Sequence, residues 1–312
     1  MTEIFEKIDV ARHIVLIAHI NPDADSLGSA SAMYTHLIRL QKKVTLYCAT
    51  EKIDPNLAFL PWFDKLRHQF PAAADLAISF DCGTVSRLGT VPECDLINLD
   101  HHRSNEHYGT YNLIDTAAIS TTQVLYDLFR SSAIKINPKM ATSLYAGLLD
   151  DSQGFTTAKT DDKSFLMAAD LLKCGADIAL CSQSLMKTMS LAAMRLKGQM
   201  LQQARLMHDG RIVVSLVTKT MMEETGARQV DCEAALEESL YLPSVEVAVM
   251  LRENKDGSIK GSLRGKTQID LSKIAGMFGG GGHHHAAGLE LPKSTLDEAL
   301  EDIILELDKE LM

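Results

Sequence analysis

A chain of 312 residues exceeds one ordinary domain of about 100–200 residues, and 46% hydrophobic with 23% charged content suits a globular protein able to bury two cores. The formal net charge of -10 argues against a basic face gripping long nucleic acid through many phosphates, and leaves short anionic partners neutralised locally by a few cations. No apolar run approaches a membrane span, and Ile14–Ala18 leads into Asn21-Pro22-Asp23 without the layout of a signal peptide, so a cytoplasmic protein with no membrane partner is expected.

The first half alternates short apolar runs with helical patterns, as a parallel sheet covered by helices requires. Ile14–Ala18 reads as a buried strand. Ser26–Leu40 then places Leu27, Ala30, Tyr34, Leu37 and Ile38 on one helical face, and Val44–Cys48 completes a strand-helix-strand unit. Leu76–Phe80 and Leu96–Leu99 are further buried strands. Ser120–Arg130 and Lys139–Leu149 read as helices, the second delivering Asp150-Asp151 at its end. Asp161–Lys173 and Ile178–Met207 continue in helix, the last long enough to join two domains. From Arg211 the pattern changes: strand-like Ile212–Val217, Val245–Leu251 and Ser258–Leu263, a short helix over Asp270–Met277, and a closing helix from Ser294. The expected fold class is α/β, with an N-terminal parallel-sheet domain over residues 1–185, a helical linker over 186–208 and a smaller α/β domain over 209–312.

Six cysteines without a C-x-x-C pair suit free thiols rather than a disulfide framework or a thiolate zinc site. Cys82, beside Asp81, reads as a small buried hydrophobe with no chemical role.

Three of the apolar strands run straight into polar residues: His19 to Asp25, then Asp81, then Asp100-His101-His102. In open parallel sheets ligands gather outside that edge. Two acids one residue apart, Asp23 and Asp25, can point at neighbouring cations, although either could simply cap the following helix. Asp81 has two oxygens to share between two ions, but alone it would read as a turn residue. In Asp100-His101-His102 an acid precedes two imidazoles that it could orient. Asp150 or Asp151 ends a helix, where a negative charge opposes the macrodipole and needs another justification, which a cation would supply. Together these motifs form an oxygen-rich set with imidazoles, suited to manganese or a similar divalent ion. Two such ions can orient a water, lower its pKa and stabilise both oxygens of an in-line displacement at phosphorus, so phosphoester hydrolysis is the natural reaction.

The run H-x-N-P-D-x-D-S-x-G over residues 19–28, the isolated Asp81, the D-H-H triplet and Asp151 resemble the four signature motifs of the DHH phosphoesterase superfamily, in the same order. Gly261-Ser-Leu-Arg264 and Phe278-Gly-Gly-Gly-Gly-His283-His-His-Ala286-Ala287-Gly288 are similar to the signature of the DHHA1 domain. The resemblance covers nearly the whole chain. It implies that His19, Asp23 and Asp81 hold one metal and that Asp25, Asp81, His101 and Asp151 hold the other, with Asp81 bridging. It further implies two Mn2+ ions (Mg2+ or Co2+ being possible), with His102 facing the scissile phosphate and Asp100 supporting the histidine pair. Asp151 matches the family pattern of an acid before a small hydroxyl residue, with Asp150 as the alternative. In the second domain, Gly280, Gly281 and Gly282 would bring backbone N–H groups close to a phosphate, with Arg264 and His283 adding charge or donors. His284 and His285 read as exposed or packed imidazoles.

This family includes stand-alone nanoRNases that also act on 3′-phosphoadenosine 5′-phosphate. The expected activity is hydrolysis of short RNA or dinucleotides to mononucleotides, and of that phosphate to AMP. The alternative is a phosphodiesterase for cyclic dinucleotides (c-di-AMP, cGAMP or c-di-GMP). Related pyrophosphatases share the N-terminal motifs, but the glycine-histidine signature points elsewhere. A retired nucleotide sensor would lack a ligand, whereas every expected ligand is present. Relatives often dimerise, so a homodimer is expected.

Overall fold

A computed structural model describes residues 2–266, 269–292 and 295–311. Two compact units divide the chain, Met1–Thr188 and Met189–Met312. The first runs through α1 (Thr2–Val10), β1 (His13–Ala18), α2 (Ala24–Arg39), β2 (Lys43–Tyr47), β3 (Leu76–Phe80), β4 (Asp95–Asp100), β5 (Tyr111–Ile114), α3 (Thr121–Ser131), α4 (Pro138–Asp151), α5 (Asp162–Lys173) and α6 (Ile178–Met186).

The five strands pair in parallel in the order β2-β1-β3-β4-β5. Every residue of β1 and β3 is buried, which explains their largely apolar sequences: alternate side chains enter cores on opposite faces of the sheet. The register sets Ala18, Phe80 and Leu99 side by side. His19, Asp81 and Asp100 are the next residues along their strands, so all three reach the same edge.

Small residues let α2 and α4 cross closely. A Cβ on Gly28 would lie 2.5 Å from the Ser143 carbonyl oxygen, and the Ser31 and Ser143 hydroxyls are 3.0 Å apart. That crossing carries the C-terminus of α4 to the start of α2, where the Ala24 N–H donates to Asp150 Oδ2 at 3.0 Å.

The second unit comprises α7 (Leu191–Gln203), β6 (Arg205–Met207), β7 (Ile212–Val217), α8 (Lys219–Thr225), α9 (Asp231–Ser239), β8 (Val247–Glu253), β9 (Ile259–Gly265), α10 (Leu271–Met277), β10 (Gly281–His283), β11 (Ala286–Leu291) and α11 (Leu296–Leu311). Its mixed sheet has the order β10-β11-β9-β8-β7-β6. Val214, Val249, Leu263 and Ala287 share a core with α10 and α11, while Val213, Ala248 and Met250 share another with α7, α8 and α9.

The continuous helix expected over Ile178–Met207 is instead two helices followed by a strand. Ser190 caps the second helix by accepting from the Ala193 N–H, and Arg205–Met207 pairs antiparallel with Ile212–Val214. Thus only part of the 186–208 stretch is helical, and α7 belongs to the second unit's core through Leu196 and Met200. The expected strand Val245–Leu251 starts at Val247 and runs on to Glu253. The expected start of the last helix, Ser294, lies outside the described residues. Among the described residues no helix is long and apolar enough to cross a membrane.

Candidate metal centre

The sheet edge and two helix ends bring six dispersed side chains into one cluster. His19 follows β1 and Asp23 is the N-cap of α2, accepting from the Ser26 N–H at 2.9 Å. Asp25 lies in the first turn of α2 and is fully buried. Asp81 leaves β3 with φ +57°, a left-handed conformation that a non-glycine residue adopts at a cost of order 1–3 kcal/mol. It turns its carboxylate back across the edge. His101 follows β4, and Asp151 is the last residue of α4.

Asp81 joins the two halves of this cluster. Its Oδ2 is 3.4 Å from His19 Nε2, and its Oδ1 is 3.4 Å from His101 Nε2. His19 Nε2 is also 3.5 Å from Asp23 Oδ2, and His101 Nε2 is 3.2 Å from Asp151 Oδ2. One donor atom from each of His19, Asp23 and Asp81 falls within 4.8 Å of the others, and the same holds for Asp25, His101 and Asp151. Both rings have their Nδ1 beside backbone carbonyls, of Ile20 at 2.9 Å and of Ala118 at 3.3 Å, an arrangement that turns Nε2 toward the carboxylates. The start of α3 helps hold the carboxylates: the Thr121 and Thr122 N–H groups donate to Asp25 at 2.6 and 2.8 Å, and the Thr121 hydroxyl to Asp81 at 2.9 Å.

The electrostatics show how strongly the charges depend on one another. Burial pushes the Asp25 carboxyl well up, and Asp151 and Asp81 add to it. Burial likewise raises Asp151. Asp81 goes the other way: burial opposes its charge, but His101 and His19 hold it well below the usual carboxylate range. Burial works against charging either histidine, yet Asp23 and Asp81 carry His19 up to about 9, and Asp151 and Asp81 carry His101 up to about 11. Such crowding of buried acids against imidazoles, all offering oxygen or nitrogen donors, fits hard or borderline divalent cations.

A second layer lies beside it. Asp100, fully buried, accepts at Oδ1 from the N–H groups of His101 and His102 and lies 2.7 Å from His102 Nδ1, and this contact raises the His102 pKa. Asn105 Nδ2 donates to the other oxygen of Asp100. Asp100 and His102 also come within 4.8 Å of donors on Asp81 and His101.

Asp150 faces the Ala24 N–H rather than a histidine, and burial, followed by Asp23, pushes its carboxyl up to about 7. Arg87, which sequence reasoning missed, lies on the turn Val85–Leu88 with its Nη2 2.9 and 3.1 Å from the two ring nitrogens of His19. A lone arginine between two glycines carried no signal of this. Cys82 is buried, as its apolar reading requires.

In the second unit, Arg264 and His283 both oppose Ala286, from β9 and β10. Arg264 is paired with Glu233 of α9 at 2.7 Å, so its charge is already partly met. A Cβ on Gly280 would lie 2.3 Å from the Gly288 carbonyl oxygen and one on Gly282 2.5 Å from that of Ala286, whereas Gly281 faces open space. Two of the three glycines are thus required by close packing on β11. His284 and His285 stack edge to face, with centroids 4.6 Å apart.

The profile of the DHH family N-terminal domain matches residues 13–148, and that of the DHHA1 domain matches residues 209–310. The chain is 31% identical over 304 residues to the bifunctional oligoribonuclease and PAP phosphatase NrnA of Thermus thermophilus, covering 96% of this chain and 90% of that one. It is 28% identical over 219 residues to the cyclic-di-AMP phosphodiesterase PdeA of Listeria monocytogenes, covering 69% of this chain and 32% of the relative. The fold is that of an exopolyphosphatase-related protein from Bacteroides fragilis, with a TM-score of 0.90 at 23% identity and coverage of 99% and 95%. The chain belongs to the DHH/DHHA1 phosphoesterase family of metal-dependent hydrolases.

Proposed function

We propose that the chain is a manganese-dependent enzyme that hydrolyses short oligoribonucleotides and linear dinucleotides to mononucleotides, and 3′-phosphoadenosine 5′-phosphate to AMP. The observation that carries this reading is Asp81, whose two oxygens each lie 3.4 Å from a different imidazole. One carboxylate shared between two groups of donors is the arrangement a pair of cations needs. In this reading His19, Asp23 and Asp81 hold one ion, and Asp25, Asp81, His101 and Asp151 the other. Asp151 is preferred to Asp150 because it faces His101.

When bound, the ions would supply Lewis acidity and would lower the pKa of a water for in-line attack. Asp100 fixes the His102 ring through Nδ1, leaving Nε2 to face the scissile phosphate. Asp100 raises the pKa of that ring, which favours its acting as a donor to a phosphate oxygen. Arg264, His283 and the backbone at Gly280, Gly281 and Gly282 bind the substrate end, a reading supported by the exposure of His283 and the open space at Gly281. The net charge of -10 favours short over long RNA. Homodimer formation and a cytoplasmic location rest on the family resemblance and sequence patterning, and light scattering tests the first.

The likeness to the Listeria relative favours a second reading, hydrolysis of cyclic dinucleotides. A panel assayed in Mn2+ decides: linear dinucleotides, a long RNA, 3′-phosphoadenosine 5′-phosphate, c-di-AMP and pyrophosphate. Rapid cleavage of dinucleotides and release of AMP, with long RNA spared, is the expected result. Equal cleavage of long RNA rejects the length limit, and faster turnover of c-di-AMP installs the second reading.

A further inference from the structure

Arg252 is buried, 7% exposed, near the end of β8. Among the described residues its one side-chain hydrogen bond runs from Nη2 to Asn254 Oδ1 at 3.0 Å, a neutral acceptor. No carboxylate among the described residues pairs with it, whereas Arg211, Arg228 and Arg264 in the same unit each have one. A guanidinium taken out of water without a counter-ion is disfavoured, and its planar fork is built for phosphate or carboxylate.

Arg252 lines a cavity of about 400 Å³, within the range of small-ligand sites. Lys219, Arg228 and Lys255 also line it, as do two acids, Glu223 and Glu253. Both acids are engaged: Glu253 Oε2 accepts from the Lys219 N–H at 2.7 Å, and Glu223 lies 4.0 Å from Lys219 Nζ. Arg228 is met by Asp231 at 3.2 Å. With Glu223 beside Lys219 and Asp231 on Arg228, the two cations Arg252 and Lys255 stand against the single carboxylate of Glu253, which bonds only a backbone N–H, so the lining keeps a surplus of one positive charge. Met222 and Ala227 supply an apolar wall.

This place is distinct from the row containing Arg264 and His283. Arg252 opposes Lys260 across the sheet while Arg264 opposes Ala248, a separation of four residues along β8, or about 13 Å. We propose that the Arg252 pocket is a second anion site, taking a phosphate monoester of mononucleotide size with its phosphate on Arg252 and Lys255 and its nucleoside against Met222 and Ala227.

Isothermal titration of the full chain in chelator, which keeps divalent cations from recruiting phosphate elsewhere, tests this with AMP, inorganic phosphate and adenosine. AMP is expected to bind, adenosine not, and Arg252→Gln to weaken AMP by about tenfold or more while Arg264→Gln keeps the Arg252-dependent binding. Inorganic phosphate separates the sources: weaker binding than AMP supports a nucleotide, and binding of phosphate but not AMP overturns it. Unchanged AMP affinity in Arg252→Gln, or equal binding of adenosine, also overturns the proposal. Should Arg252→Gln fail to fold, Lys255→Glu on the exposed rim must weaken AMP by itself, and no change there has the same consequence.

Discussion

Asp100 Oδ1 lies 2.7 Å from Nδ1 of His102, and the same oxygen accepts the backbone N–H groups of His101 and His102. A single buried carboxylate thus sets both the ring and the backbone of His102, the residue proposed to face the scissile phosphate. Asp100→Asn keeps the size but lets the amide turn a donor toward Nδ1. We expect kcat to fall by about ten- to a hundredfold with a smaller change in KM. The pH profile should also shift, because the raised pKa of His102 rests first on this contact. A kcat within twofold of wild type would remove Asp100 from its positioning role.

Glycines make a paired prediction. A Cβ on Gly147 would lie 2.5 Å from Asp25 Oδ1 and 2.5 Å from Thr122 Cγ2, so Gly147→Ala pushes a proposed ligand and the helix start that holds it. Activity should fall by about tenfold or more and stability by about 1–3 kcal/mol. Gly198, inside α7, has nothing within 4 Å of its absent Cβ, and Gly198→Ala should stabilise the fold by about 0.5–1 kcal/mol. Denaturant titration of both variants checks the contrast, and a destabilised Gly198→Ala or a fully active Gly147→Ala contradicts it.

His36 gives the stability a pH dependence of known sign. It is buried against the rings of Phe5 and Phe129, and burial, helped by Arg39, pulls its pKa down from 6.5 to about 4. Between those values the unfolded chain takes up a proton that the folded chain refuses. Stability from this group is therefore complete above pH 6.5 and falls as the pH drops toward 4, by up to about 3 kcal/mol. His36→Leu removes the effect, so urea titrations at pH 7 and 4.5 should show a smaller loss for the variant than for wild type. Equal losses would show that His36 charges freely in the fold.

Apolar strands and chemical residues were legible in different ways. Leu76–Phe80 was readable to the residue because burial on both faces leaves apolar side chains and one small serine. The convergence of His19, Asp81 and Asp100 followed from strands that end together. Half-buried elements carried less signal: Tyr111–Ile114 at the sheet edge has a mixed pattern, and the loss of helix between Met186 and Leu191 depends on a serine cap amid helix-forming residues. Arg87 and Arg252 were illegible because their meaning lies in long-range partners, a histidine for one and a missing carboxylate for the other. The preference for Asp151 over Asp150 rested on the motif alone, since neighbours in a last helical turn differ only in the direction they face, Asp150 toward the Ala24 N–H and Asp151 toward His101.

Manganese stoichiometry reaches the centre of the account directly. Equilibrium dialysis against Mn2+ followed by metal analysis should find two ions per wild-type chain and one or none in Asp81→Asn, with secondary structure unchanged. A wild-type chain holding a single ion, or an Asp81→Asn chain still holding two, would contradict a carboxylate shared between two cations.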